Sequence, residues 1–203
     1  TLADAYYVRT GYLLGLSERP AIRQKDWDTF WLKTFRRNVI ENRRWPKPPR
    51  AGWLLPPRWF VQIGDVVRTR FVVRYLDAVI ATAAEIEQAA RDAGHRAHTT
   101  LQATPEGYYA AHVSITRRFE VPKASFDTER IRGRVEIQVT TSLKDVVQEL
   151  LHKYYDERRK VSRPPSDSPG WDYMSGEFRS SYLAHMAHYL EGLIMDLRDG
   201  RTS

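Results

Sequence analysis

Three segments of this chain alternate apolar and polar residues with a period of two, and this constrains the fold more than any other feature. In RTRFVVRY, Thr69, Phe71, Val73 and Tyr75 fall on one side and Arg68, Arg70 and Arg74 on the other. In RVEIQVT, Val135, Ile137 and Val139 oppose Arg134, Glu136, Gln138 and Thr140. Between them, GYYAAHVSITRRFEV sets Tyr108, His112 and Ser114 on one face. Period two is the geometry of a β-strand, so these segments predict a sheet with one apolar face. Half-exposed strands ordinarily alternate in this way. Here, however, the polar faces together offer cations, an aromatic ring and a carboxylate, the composition a phosphate-rich nucleotide site requires.

The flanking segments have helical spacing. Residues 1 to 20 predict a short helix ending near Pro20, and residues 26 to 44 a longer one with Phe30, Thr34 and Phe35 in its apolar stripe. Residues 77 to 93 are alanine-rich, with Gly94 as a stop signal. Residues 143 to 159 place Leu143, Val146, Val147, Leu150, Leu151 and Tyr154 on one stripe. A last helix over residues 177 to 198 is expected to face Tyr182, Met186, Tyr189, Leu190, Leu193, Ile194 and Leu197 inward. WPKPPRAGWLLPPR, with five prolines between residues 46 and 57, reads as a loop or lid, and Pro164, Pro165 and Pro169 mark another loop. His95 and His98 fall in a polar turn region. The order of elements predicts an α+β fold, a mixed sheet flanked by helices, in a single domain over residues 1 to 203.

Composition narrows the function classes. A net charge of +7 and a pI near 9.7 favour polyanionic partners: nucleotide phosphates, RNA or an acidic protein. With no cysteine there is no disulfide framework, thiolate zinc site or cysteine nucleophile. No apolar run reaches the roughly 18 residues a membrane helix needs, so no membrane partner is expected. The first residue, Thr1, raises the expectation of a processed product or a domain cut from a longer chain.

Two carboxylates stand out. Asp65 lies directly before the basic strand and Glu136 within RVEIQVT, and together they make an adequate ligand set for Mg2+, which takes one or two carboxylates and leaves the rest to water and phosphates. In RQKDWDTFWLK, Lys25, Thr29 and Lys33 follow i, i+4, i+8 spacing, which predicts two ammonium groups and a hydroxyl along one helix stripe near an N-terminus that favours anions.

Taken together, these blocks resemble the synthetase domain of RelA/SpoT enzymes, including small alarmone synthetases and related toxins. The family block R-x-K-x-x-x-S/T-x-x-x-K matches Arg23, Lys25, Thr29 and Lys33, and D-x-x-G-x-R matches Asp65 and Arg70. G-Y-x-x-x-H matches Gly107, Tyr108 and His112, E-I-Q matches Glu136, Ile137 and Gln138, and His152 with Tyr155 resembles the helix that follows. The motif-bearing core runs from about residue 23 to 155. The resemblance implies a nucleotidyltransferase-like synthetase fold and a Mg2+-dependent pyrophosphokinase that moves the terminal diphosphate of ATP onto the 3′-hydroxyl of a purine nucleotide, GDP or GTP, ADP or ATP. It further implies that Arg23 and Arg70 sandwich adenine while Lys25, Thr29 and Lys33 take the phosphates. Asp65 and Glu136 then hold the metal and serve catalysis, with Tyr108, His112 and Gln138 on the acceptor side.

The chain departs from the family on that acceptor side. Arg68 occupies the usual glycine position, Pro105 and Glu106 replace a polar residue before G-Y, and Thr140 stands where E-I-Q-x-R has arginine. The 3′ end of tRNA is therefore a rival acceptor, and a non-catalytic RNA- or protein-binding module a second alternative. No His-Asp dipeptide occurs, so the hydrolase half of the bifunctional enzymes is not expected. A growth-arresting toxin restrained by an acidic antitoxin or immunity protein fits these departures, acting in the cytoplasm, with delivery inside a larger secreted effector as one route. His185 and His188 read as packed helix residues rather than metal ligands, and the six tryptophans as divided between core and proline-rich lid, where Trp53 and Trp59 could help to stack a bound base.

Overall fold

The computed structural model describes residues 1–15, 20–160 and 175–200, with the side chains of Pro57, of residues 152–160 and of Glu177 outside the described set. The predicted strands are present as β2 (Val67–Val73), β4 (Tyr109–Pro122) and β5 (Thr128–Thr141). Two more join them, the short β1 (Arg23–Gln24) and β3 (Arg96–Ala103), in the order β1-β2-β5-β4-β3. β2 runs parallel to β5 and every other pair is antiparallel, so the sheet is mixed as expected.

One face of the sheet is dry. Helix α4 (Leu76–Asp92) lays Ala78, Val79 and Ala83 against Val73, Val113 and Val139, with Phe71, Ile115 and Ile137 around them. Helix α1 (Leu2–Thr10) adds Tyr6, which is 2% exposed. α1 is shorter than expected: Gly11 adopts φ 75° and returns its N–H to the Tyr7 carbonyl, closing the helix well before Pro20.

The chain ends of the described fold are tied by a polar cluster. Tyr6 donates to Asp77 at 2.9 Å, and Arg198 grips the same carboxylate through two nitrogens, each at 3.1 Å. Burial would raise the Asp77 carboxyl, yet the hydrogen bonds from Arg198 and Tyr6 hold it below the usual carboxylate range. Its contribution is present at neutral pH and is lost as pH falls below that range. Asp77→Ala leaves Arg198, with a side chain 6% exposed, with the Tyr6 hydroxyl and the Asp199 carboxylate and without the acid that its two terminal nitrogens grip. A loss of about 2–3 kcal/mol is expected, below the roughly 3–5 of a fully buried pair because Asp77 stays 29% exposed. Urea unfolding at neutral and acid pH checks this: the gap between wild type and variant should narrow as the pH falls.

Around the other face, helix α2 spans Trp27–Phe35 and continues as a π-helical turn over Arg36–Ile40, ending short of residue 44. Phe30 and Thr34 are buried as expected, whereas Phe35 is 46% exposed. The proline-rich segment is strapped down rather than a free lid. Leu54 is buried with Phe30, Ile63 and Val66, and the Asn38 side chain both donates to and accepts from the Leu54 backbone. Pro56–Arg58 forms a 3-10 turn leading into helix α3 (Trp59–Gln62), so the segment does contain helix; proline is tolerated at a first turn, where its missing N–H costs no bond. Trp59 stacks edge-on to Phe30 at 4.7 Å and Trp53 meets Trp45, which gives both rings protein partners.

Two expectations are corrected at the far end. His98 lies on β3, opposite Ser114, and not in a turn; RAHTTLQA has too few apolar residues to announce an edge strand. Helix α5 (Ser142–Lys160) buries Val147 and Leu151 but leaves Val146 and Leu150 exposed; Tyr154, His152 and Tyr155 have side chains outside the described residues. Helix α6 (Gly176–Arg198) turns Ser180, Ser181, Ala184, Ala187 and Glu191 inward, while Tyr182, Met186, Tyr189, Leu190, Leu193, Ile194 and Leu197 are 40 to 72% exposed. Small residues win the inner face because the α6 backbone must press against a turn of the sheet, described below. Among the described residues no helix is long and apolar enough to cross a membrane.

Candidate active site

The face of the sheet away from α4 carries the polar residues. Register places Arg23 opposite Arg68, Arg68 and Arg70 opposite Glu136 and Gln138, and His112 opposite Gln138, all on the face away from α4. Gln138 is buried and Glu136 half-buried, in the centre of the sheet. Arg23 stands exposed at the edge on β1.

Asp65 approaches this floor from the turn before β2. The Lys25 N–H bonds the Val66 carbonyl at 2.9 Å, which fixes the crossing of the two segments. Lys25 Nζ then reaches Asp65 at 2.8 Å and Lys33 Nζ at 2.7 Å, one ammonium on each carboxylate oxygen. Lys25 is not on the helix stripe that its spacing suggested. α2 begins after it, capped by Asp26, which accepts the Thr29 N–H at 2.8 Å. Tertiary packing nevertheless brings Lys25 and Lys33 to one acid and leaves Thr29 in the first turn of α2. Burial would raise the Asp65 carboxyl, but the two lysines outweigh it and hold it at about 2.

The second acid is held differently. Gln138 Nε2 donates to one Glu136 oxygen at 2.7 Å, and His112 Nδ1 lies 3.4 Å from the other. The far nitrogen of His112 is 2.7 Å from the Tyr108 hydroxyl. With the proton on Nδ1 facing Glu136, Nε2 accepts from Tyr108, and a continuous chain links ring, imidazole and carboxylate. Burial pushes the Glu136 carboxyl up, and the bonds from His112 and Gln138 more than offset it, so the group stays below its ordinary range. Burial beside Glu136 drives the Tyr108 phenol up to about 12, against the pull of Arg70 and Arg68.

Asp65 and Glu136 feel each other's charge and both remain ionised. Among the described residues no group of three or more acidic, histidine or cysteine side chains is placed to hold a metal ion. Two ionised carboxylates with no further protein ligands suit Mg2+, which keeps water and phosphate oxygens in its other positions, and do not suit an all-protein cage.

Two polar residues at the site escaped the sequence reading. Asp145, in the first turn of α5, pairs with Arg70. Lys144, beside it, is 2% exposed, although lysine is seldom buried and nothing in its local pattern announces this. His185 and His188 are packed as expected: His185 bonds the Tyr109 hydroxyl at 2.8 Å, and His188 stacks on the same ring at 3.7 Å.

No family model and no curated protein sequence matches the chain. Solved structures do. Small alarmone synthetase 1 from Bacillus subtilis superposes with a TM-score of 0.63 at 12% identity, over 98% of this chain and 85% of that one. A GTP pyrophosphokinase family protein from Streptococcus pneumoniae gives 0.63 at 17% identity, over 98% and 83%. The Bacillus subtilis synthetase 1 bound to its product pppGpp gives 0.61 at 13%, over 99% and 87%. The chain thus has the α+β fold of the small alarmone synthetases, and its structural neighbours are alarmone synthetases and GTP pyrophosphokinase family proteins.

Proposed function

We propose that this protein is an ATP-dependent pyrophosphokinase that transfers the β,γ-diphosphate of ATP to the 3′-hydroxyl of a purine nucleotide, giving products of the (p)ppGpp or (p)ppApp type. The observation that carries the reading is a pair of half-buried, ionised carboxylates at the polar sheet face: Asp65, in the turn before β2, is gripped by two lysines, and Glu136, on β5, is linked through His112 to Tyr108. The fold shared with a synthetase solved with pppGpp supports it.

The chemistry is one of positioning and charge neutralisation. Arg23 and Arg70 present planar guanidinium groups to adenine. As ATP enters, the ammonium groups of Lys25 and Lys33 exchange Asp65 for phosphate oxygens, and Thr29 at the start of α2 adds a hydroxyl. Asp65 and Glu136 are then the residues that would hold Mg2+, which supplies charge neutralisation on the phosphates when bound. Tyr108 stacks the acceptor base. The acceptor 3′-hydroxyl passes its proton to Glu136 as its oxygen attacks the β-phosphorus; the bond from that phosphorus to the α,β-bridging oxygen breaks and its electron pair leaves with AMP. Single-turnover reactions with γ-labelled ATP against GDP, GTP, ADP, ATP and deacylated tRNA test the reading. Label on none of the acceptors refutes it.

A second acceptor is favoured by one observation. The reactive face continues from Glu136 through Arg134 and Arg132, the latter opposite Arg118, out along the β4–β5 hairpin. Arg134 Nε is buried and, among the described residues, has no hydrogen-bond partner. A guanidinium track leading to the site suits a longer polyanion, and the 3′ end of tRNA would be the acceptor. Transfer to tRNA with a steep salt dependence, and not to free nucleotides, selects this reading.

Tyr108→Ala separates the substrates. Loss of a stacking platform is worth about 1–3 kcal/mol per base, so acceptor KM should rise roughly 5- to 150-fold. Calorimetric affinity for a non-hydrolysable ATP analogue should stay within about twofold, since Tyr108 contacts none of Lys25, Lys33 or Asp65 through the bonds described. Equal losses on both sides rule it out as an acceptor platform.

A further inference from the structure

The turn that carries Tyr108 is held from behind by a cluster that the chemistry above does not use. Residues 104 to 108 close on themselves: the Thr104 N–H bonds Tyr108 O at 3.0 Å and the Gly107 N–H bonds Thr104 O at 2.9 Å. Helix α6 presses on the outside of this turn. Ser181 Oγ donates to the Pro105 carbonyl at 3.3 Å, and His185 Nε2 lies 2.9 Å from the same oxygen.

Between turn and helix runs the side chain of Lys144, from the first turn of α5. Its ammonium donates to Gly107 O at 2.7 Å and to Ala184 O at 2.6 Å, and sits 4.7 Å above the Tyr109 ring. Glu191 supplies the counter-charge, itself accepting from the Thr141 hydroxyl and lying 3.7 Å from His188 Nδ1. Burial drives Lys144 down to about 8 despite Glu191, and raises Glu191 above the usual carboxylate range. A buried ammonium and carboxylate are a poor way to fill volume, since apolar side chains of the same size pack there at no desolvation cost. What only the ammonium does is cross-link the carbonyl of the residue before Tyr108 to the backbone of α6.

We propose that Lys144 is a positioning residue for acceptor binding: it fixes the Gly107 carbonyl to α6 and so sets the orientation of the Tyr108 ring over the site. Its neighbour Asp145 holds Arg70, so one helical turn braces the acceptor turn through residue 144 and the adenine side through residue 145. The proposal deepens the acceptor role given to Tyr108 above and rests on that reading.

Lys144→Met keeps length and removes the donors. The expected result is an acceptor KM raised about tenfold or more, as for loss of buried charge-assisted hydrogen bonds, with kcat at saturating acceptor changed less than about threefold and affinity for the ATP analogue unchanged. Hydrogen exchange of the amides in residues 104 to 108 should quicken by a similar factor while α4 stays protected. Ser181→Ala, a milder change on the same turn, should move acceptor KM in the same direction by about two- to fivefold and keeps the test open if the lysine variant folds poorly. Parallel losses of acceptor and ATP binding, or unchanged exchange in the turn, overturn the proposal. A wild type that transfers to no acceptor removes the functional reading instead, and the exchange measurement then decides the positioning role alone.

Discussion

Glu136→Gln and Asp65→Asn are each expected to lower the proposed diphosphate transfer by about 1,000-fold or more, the range seen when a group that stabilises transition-state charge is removed without a change in volume. The two losses have different physical routes. At Glu136 an amide keeps one oxygen for Gln138 or His112 but turns an N–H against the other donor, so one of the two contacts is lost along with the charge. At Asp65 the amide leaves Lys25, 7% exposed, and Lys33 facing a neutral group. Asp65→Asn therefore also costs stability. The carboxyl is held at about 2 against an ordinary 3.8, so it contributes about 2 kcal/mol that is fully present above pH 4 and lost as the pH falls toward 2. Circular dichroism and urea titration at pH 7 and pH 3 separate that loss from the catalytic one. Expression in bacteria adds a cellular measure: growth arrest by wild type and normal growth with Glu136→Gln at equal protein level identify a toxic synthetase. Equal growth argues against it. Retained transfer in either purified variant refutes the carboxylate site.

Gly107→Ala is expected to cost about 3 kcal/mol, the sum of a backbone and a packing effect. Gly107 sits at φ 81°, where an alanine costs about 1–2 kcal/mol from clash with its own carbonyl. A Cβ there would also meet Ala184 Cβ at 2.6 Å, with the His185 nitrogen and the Ser181 oxygen at 3.1 Å. Two of these three are helix backbone and cannot step aside, so overpacking of about 1–3 kcal/mol is added. Thermal and urea unfolding measure the loss, and the same variant should show faster hydrogen exchange in the last helix. A shift under about 1 kcal/mol would mean that α6 does not press on the turn as described.

The alternation of RTRFVVRY and RVEIQVT announced two strands, which face of each is dry, and that Arg68, Arg70, Glu136 and Gln138 share the other. A period of two leaves no other arrangement once one face is buried. The mixed sheet with flanking helices followed from the order of elements. Edge strand β3 did not, because a strand paired on one side only can be built from Thr, His and Gln without an apolar signature. The last helix is turned the other way from its sequence pattern: its large apolar residues suggest an inward face, yet Ala184, Ser181 and Ser180 are the buried ones, since the close approach to Gly107 admits only small side chains.

By itself, then, the sequence determined the strands, their faces and the residue types gathered on the polar one, because these depend on local backbone period. Tertiary structure alone decided which charges meet. Lys25 and Lys33 converge on Asp65 from opposite sides of a helix start, Asp145 takes Arg70 across 75 residues, and Lys144 reaches carbonyls 37 and 40 residues away. Such partners are set by how elements pack, and a lysine destined for burial carries no mark in its neighbours that tells it from one bound for solvent.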